Sequence, residues 1–344
     1  MLFYLLYGKI AKKEVLHLKK NNLYLLIVIL LAVFLVLLTI ALGLDQTPPT
    51  TNESQSNSSA PQTDATGTDQ SQPDSLAATQ SSSVITEPPT TPPTTVPRPT
   101  GPGEYIGNLY TRDQLLAMDS VSKGYGAGKE VDSKNRPTYA LSMDKKYEKY
   151  DAHFIGDDNG KVYLTYNVTY EHKGLVQKTL NILRDKQVKA VFFIDKSFAQ
   201  NYPNMVWQII NDGHILANHC TTHPDLPTLS IDKIVSQIMD IHNYVKETYG
   251  YEMKLFRPPS GYFSEQVWAI AQSLGYRSYN WSFTYLDWDT GNQPEIAATL
   301  QKMTNALHSG AIYQFHAISS TNAATLEDFI DAVHARGFEF ALLP

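Results

Sequence analysis

Apolar and polar positions fall into four regimes along the chain. From Leu23 to Leu44, "LYLLIVILLAVFLVLLTIALGL", no charge interrupts the apolar run. At 1.5 Å of rise per residue this length crosses the hydrocarbon core of a bilayer, and it exceeds the apolar core of about 7–15 residues usual in a cleaved signal peptide. The pattern predicts a transmembrane anchor over 23–44 behind a short cytoplasmic segment, 1–22. Residues 45–103 are dominated by Ser, Thr, Pro, Gln and Asn and end in "TEPPTTPPTTVPRPTGPG". With so little apolar surface to offset ordering entropy, they predict a disordered linker. Residues 104–160 are mixed and Tyr-rich, and are expected to form a lead-in that packs on the domain C-terminal to it.

From residue 161 the pattern becomes regular. Short apolar runs predict strands at "KVYLTY" (161–166), "KAVFFI" (189–194), "HILAN" (214–218), "KLFR" (254–257), "YRSYNW" (276–281), "AIYQFH" (311–316) and "FEFALL" (338–343). Between them, apolar residues recur at helical steps: Leu175, Leu180 and Leu183; Ile234, Ile238, Ile241 and Val245; Val267, Ile270, Ala271 and Leu274; Ile296, Leu300, Met303 and Leu307. Steps of three or four place each set on one helix face. Gly213, Gly275, Gly310 and Gly337 precede strands, where a left-handed cap suits glycine. Pro203 and Pro294 suit helix starts. Strands alternating with helices predict a parallel α/β sheet, and near-equal repeats favour closure into a barrel over 161–344.

Charge adds a direction. Lys9, Lys12, Lys13, Lys19 and Lys20 precede the apolar run, and Asp45 follows it. Positive flanks stay cytoplasmic, so the bulk of the chain is expected outside the cell membrane, held by its N-terminal helix. Five lysines against Glu14 give +4 before residue 45, so the net −6 leaves −10 for the rest. Such an acidic remainder excludes a nucleic-acid partner. Cys220 is the lone cysteine, which rules out an intrachain disulfide.

In a barrel of this kind, polar groups at the C-terminal strand ends meet at one mouth. In order these are Asn167, Asp195, His219 with His223, Arg257, Trp281, Asp287 with Trp288, and His316. Each has a bland reading. Two histidines four apart are more often unrelated than a metal pair, Arg257 before two prolines suits an ion-paired loop, and His316 suits a core histidine. Their coincidence at one rim favours a site. No H-E-x-x-H occurs, which disfavours a zinc peptidase.

Four motifs, "HCTTHPDL" (219–226), "RPPSG" (257–261), "YLDWD" (285–289) and "GAIYQFH" (310–316), carry a resemblance. In this order and at these strand ends they resemble the polysaccharide deacetylases of the NodB-homology type, over Ser122 to Pro344. The lead-in "KYDAHFIGDDNGKVYLTY" (149–166) is most similar to the branch that deacetylates muramic acid in peptidoglycan. The resemblance implies a distorted (β/α)7 barrel and a divalent metal, Zn2+ in the first place, acting on cell-wall glycan at the surface of a Gram-positive bacterium. By position it implies His219 and His223 as metal ligands and Arg257 as the holder of the catalytic base. It also implies Ser260 N–H as an oxyanion donor, Asp287 and Trp288 as the pair that orients the acid and walls the pocket, and His316 as general acid.

The first motif departs from the family pattern. Where the family carries a base Asp and then an Asp ligand, this chain has Asn167 and Val168. An amide cannot take a proton from water at neutral pH, and Val168 cannot bind metal. Asp195 is a candidate substitute base, against a helix-capping role. Glu171, Asp225 and Cys220 are lesser candidates. Tyr262, Phe263, Trp281, Tyr285 and Trp288 either line a sugar-stacking groove or pack the core. Two functions remain open: a membrane-anchored, extracytoplasmic peptidoglycan N-deacetylase weakened at its base, and an inactive descendant that binds glycan or scaffolds partners. Without an anionic partner Arg257 leaves the pocket positive, which favours a carboxylate such as the lactyl group of muramic acid, or acetate.

Overall fold

The computed structural model describes residues 105–344. The expected anchor over 23–44 and linker over 45–103 lie outside the described residues. Among those described, no helix is long and apolar enough to cross a membrane.

The lead-in contributes β1 (Tyr105–Ile106), β2 (Tyr110–Thr111), α1 (Arg112–Leu116), β3 (Lys123–Gly124), α2 (Thr138–Tyr147) and β4 (Ala152–His153). Then come β5 (Lys161–Val168), α3 (Leu175–Asp185), β6 (Val191–Ile194), α4 (Lys196–Asn201), α5 (Pro203–Asn211) and β7 (Ile215–Asn218). After these lie α6 (Ile231–Tyr249), β8 (Leu255–Phe256), β9 (Tyr262–Phe263), α7 (Glu265–Ser273) and β10 (Arg277–Tyr279). The chain ends with α8 (Ile296–Asn305), β11 (Ala311–His316), α9 (Ser320–Ala335) and β12 (Glu339–Ala341).

The main sheet runs β11-β5-β6-β7-β8-β10-β4, with β12 also on β5. Every pairing within it is parallel. The sheet curls, and beyond β10 the chain reaches the opposite edge strand. Phe283 bridges Tyr313 of β11, with Ser282 N donating to Ile312 O at 3.0 Å and Gln314 N to Phe283 O at 2.9 Å. The distortion has a local cause. β4 already pairs β10 at Ser278 and Tyr279, so β11 meets the chain only past Trp281.

Both faces of the central strands are covered, so β6 reads as an unbroken apolar run and β5 is buried nearly throughout, its polar Thr165 and Asn167 included. Helix α6 turns Ile234, Ile238, Ile241 and Val245 inward, as its spacing predicts. Ile296 differs. It opens α8, where Glu295 caps the first turn, and is half exposed. Helix α9 escapes the sequence pattern because "SSTNAAT" reads as polar. Ser319 nevertheless caps it by accepting from Asn322 N, and Leu326, Phe329, Ile330 and Val333 bury one face. Gly310 has φ 81°, and a Cβ there would lie 2.2 Å from Gly156 O, so the lead-in and β11 meet backbone to backbone.

An ionic cluster fastens the lead-in to β10. His153 Nε2 lies 2.9 Å from Asp151 Oδ1, and Nδ1 lies 3.6 Å from Asp144 Oδ1. Arg277 Nε bonds Asp151 at 2.9 Å. Burial alone would lower the imidazole pKa, but Asp144 and Asp151 outweigh it and raise it to about 9. A folded pKa above the unfolded value means stabilisation that is complete below pH ~6.5 and lost as pH climbs through the folded pKa. Thermal melts of the parent and His153→Gln should therefore differ most near pH 6 and converge by pH ~10. A gap that stays constant over that range would contradict the assignment.

Candidate active site

A cavity of about 730 Å3 opens at the C-terminal ends of the barrel strands. It is lined among others by Asn167, His219, His223, Ser260, Trp288 and His316. Three arms build it.

The first arm is the turn after β7. His219 N donates to Ile194 O at 2.9 Å, so the residue continues the sheet register. Beyond it Cys220 and His223 take left-handed backbone, φ 71° and 57°. The turn holds these angles through side chains that sequence reasoning missed. Asn218 Oδ1 accepts from Cys220 N at 2.9 Å, while Asn218 Nδ2 donates to Ile238 O and Tyr276 Oη. Gln237 accepts from Thr221 N and Thr222 N. The two imidazole rings stand 5.0 Å apart between centroids. His219 Nδ1 faces Arg257 O at 2.8 Å; a carbonyl only accepts, so Nδ1 carries the proton and Nε2 a free lone pair. That Nε2 is buried without a hydrogen-bond partner. Burial, then His223, holds the His219 pKa well below its usual value; desolvation lowers that of His223 as well.

The second arm is Arg257, wholly buried at the end of β8. Its guanidinium donates to Tyr279 O (2.8 Å), Thr165 Oγ1 (2.9 Å), Asn167 Oδ1 (3.0 Å) and Asn280 O (2.9 Å). The Phe193 ring lies 4.0 Å from Cζ. All four acceptors are neutral. Burial pulls the Arg257 pKa well down, yet a guanidinium stays charged in proteins. Asn167 thus gives the guanidinium an acceptor of carboxylate-like shape that carries no charge.

The third arm is Asp287, fully buried after β10. Its Oδ1 meets His316 Nδ1 at 2.7 Å; its Oδ2 accepts from His316 N (2.7 Å) and Asn322 Nδ2 (2.6 Å). The carboxylate fixes the ring of His316 at the end of β11 and leaves Nε2 for the cavity. Asn322, on α9, is another positioning residue the sequence did not announce.

Other expectations sort by position. Tyr262, Trp281, Tyr285 and Trp288 line the cavity, whereas Phe263 is core. Ser260 sits at the rim with φ 55°. Asp195 is not on this cavity. It caps α4, accepting from Phe198 N at 2.8 Å and from Ser197 Oγ at 3.0 Å, and opens to an adjoining pocket shared with Thr169, Tyr170 and His223. Desolvation raises its pKa. Glu171 accepts from Gln177 N, Asp225 from Ser122 Oγ, and Cys220 is buried core.

The orphaned Nε2 of His219, with His223 beside it, fits a divalent metal, and these two residues would hold one. Among the described residues no set of three His, Cys, Asp or Glu side chains converges, so two imidazoles are what the described residues offer there.

The curled parallel sheet thus gathers an imidazole pair, a carboxylate-held histidine and an arginine at one mouth. Comparison with known proteins makes this specific. A polysaccharide deacetylase family model matches residues 156–279. The chain is 34% identical over 206 residues to the peptidoglycan-N-acetylmuramic acid deacetylase PdaA of Bacillus subtilis, covering 59% of this chain and 78% of that protein. The solved structure of that family 4 carbohydrate esterase superposes with a TM-score of 0.61 at 31% identity, covering 65% of this chain and 95% of the other. A Bacillus anthracis family 4 pseudoenzyme, solved as a mutant with restored enzymatic activity, gives a TM-score of 0.53 at 26% identity, over 56% and 69% of the two chains. The chain belongs to the polysaccharide deacetylase family.

The neutral cage around Arg257 predicts a stability effect. Asn167→Asp supplies the missing counter-charge without changing shape and should stabilise the protein by about 1.5–3 kcal/mol at pH 7. The new carboxylate's folded pKa is held below its unfolded ~3.9, so the gain is present above pH ~4 and lost as pH falls through the folded pKa. Denaturant melts at pH 7 and pH 3 check this; equal stability of the two proteins at pH 7 would contradict it.

Proposed function

We propose that this chain hydrolyses acetamido groups of cell-wall glycan slowly, from a site tethered outside the cell membrane by its N-terminal apolar run. The observation that carries the reading is His316, held by Asp287 at 2.7 Å on the same cavity as His219 and His223. The uncharged stretch 23–44 behind five lysines supports the tether. The relative named for peptidoglycan N-acetylmuramic acid supports the substrate class.

Breaking the amide needs a proton delivered to the departing nitrogen. Asp287 holds His316 Nδ1–H, so the protonated ring donates from Nε2 toward the cavity. The Ser260 N–H is the donor assigned to the developing oxyanion. The exposed rings of Tyr262 and Trp288 offer flat faces to the sugar. A divalent cation at His219 and His223, Zn2+ by the resemblance, would supply polarisation of the acetyl carbonyl and a water acidified toward pKa ~7. At the mouth, no described carboxylate stands where Asn167 does to take a proton from such a water. Asn167 cannot, and loss of a general base typically costs about 10²–10⁴ in rate.

The neutral Asn167 beside Arg257 also favours a second reading, glycan binding without turnover, and one relative bears the description of pseudoenzyme. Acetate release from N-acetylated peptidoglycan by the purified full chain with added zinc separates the two. We expect slow release by the parent, none by His316→Ala, and a gain of about 10²–10⁴ in Asn167→Asp. Release by Asn167→Asp alone would transfer the protein to the binding reading, and silence of both would overturn the hydrolase reading.

A further inference from the structure

The floor of the cavity carries an unusual charge. Arg257 is fully buried, every hydrogen bond it makes is to a neutral acceptor, and no carboxylate among the described residues pairs with it. A guanidinium only donates, so the Asn167 atom facing it is Oδ1. Asn167 Nδ2 is then turned away, toward the cavity that Asn167 lines. The ligand meets a donor backed by buried positive charge, where an aspartate would present an acceptor backed by a balanced pair. Phe193 against the guanidinium keeps water from screening that charge. Nearby carboxylates do not cancel it by contact: Asp287 is bound to His316 and Asn322, and Asp195 is tied into its helix cap. His219 Nε2 is an acceptor and contributes nothing to holding an anion.

We propose that the cavity is a carboxylate-binding site, in which an acetate-sized anion accepts from Asn167 Nδ2 beside the buried Arg257 charge. The anion takes the place of the side-chain carboxylate that Asn167 lacks. Its source is either free acetate, the product of amide hydrolysis, or a carboxylate carried on the sugar. The inference deepens the proposed function by naming the charge of the ligand, and rests on that function for the glycan. Binding of acetate involves no turnover, so its failure leaves the hydrolase reading standing.

The test is calorimetric titration of the full chain in EDTA with acetate and with its neutral isostere acetamide. Acetate should bind at least about tenfold more tightly than acetamide, and Asn167→Asp should abolish or reverse that preference by placing like charge at the site. A thermal melt of the variant confirms that it is folded. A second pair of probes, N-acetylmuramic acid and N-acetylglucosamine, distinguishes the sources: preference for the acid assigns the sugar-borne carboxylate, and equal binding beside a retained acetate preference assigns the free anion. Acetate and acetamide binding alike, neither binding, or an Asn167→Asp variant with unchanged acetate affinity would each overturn the proposal.

Discussion

Arg257 ties the barrel to its chemistry. Its side chain reaches from β8 to Thr165 and Asn167 on β5 and to the backbone of Tyr279 and Asn280 at the end of β10. Its own carbonyl accepts from His219 Nδ1 and thereby chooses the tautomer of that ring. Taking an ion of this size out of water costs several kcal/mol, which is repaid only when every donor is satisfied and an opposite charge is near. Here the donors are met by neutral oxygens and an aromatic face, and among the described residues no carboxylate pairs with the guanidinium.

The two halves of the site therefore stand in different condition. Around His316 the hydrogen bonding is complete: Asp287 uses both oxygens to hold the residue, and α9 braces the carboxylate through Asn322. Around Arg257 the hydrogen bonds are made, but to neutral acceptors. Asn167 has the shape of an aspartate and accepts from Arg257 at 3.0 Å, so its amide sets what the floor of the cavity offers a ligand. That group is an amide donor beside a buried positive charge.

Much of this was legible in the sequence because the seven anticipated strands are short and uninterrupted, and the residues after them recur at one rim. Asn167, His219, Arg257 and His316 could be named from strand ends alone. What could not be read has physical reasons. The pairing of β4 with β10 involves two residues on each strand and leaves no periodic signal. Asn218, Gln237 and Asn322 act through hydrogen bonds to backbone and side chains distant in sequence, and polar residues at such positions look like ordinary loop or helix surface. Asp195 shows the reverse problem. Its place after β6 reads equally as a site residue or as a cap, and only the 2.8 Å bond from Phe198 N distinguishes them. Ile296 was assigned inward by spacing, but a first-turn residue lies past the edge of the packed face.

A crystal structure of the protein grown with zinc tests the central claim most directly, through the surroundings of the Arg257 guanidinium. The account predicts Asn167 Oδ1 in hydrogen-bond contact, Asp195 still capping α4, and no side-chain carboxylate of the chain within about 4 Å of the guanidinium nitrogens. Asp195 or any other acidic side chain swung in to pair with Arg257 would contradict it.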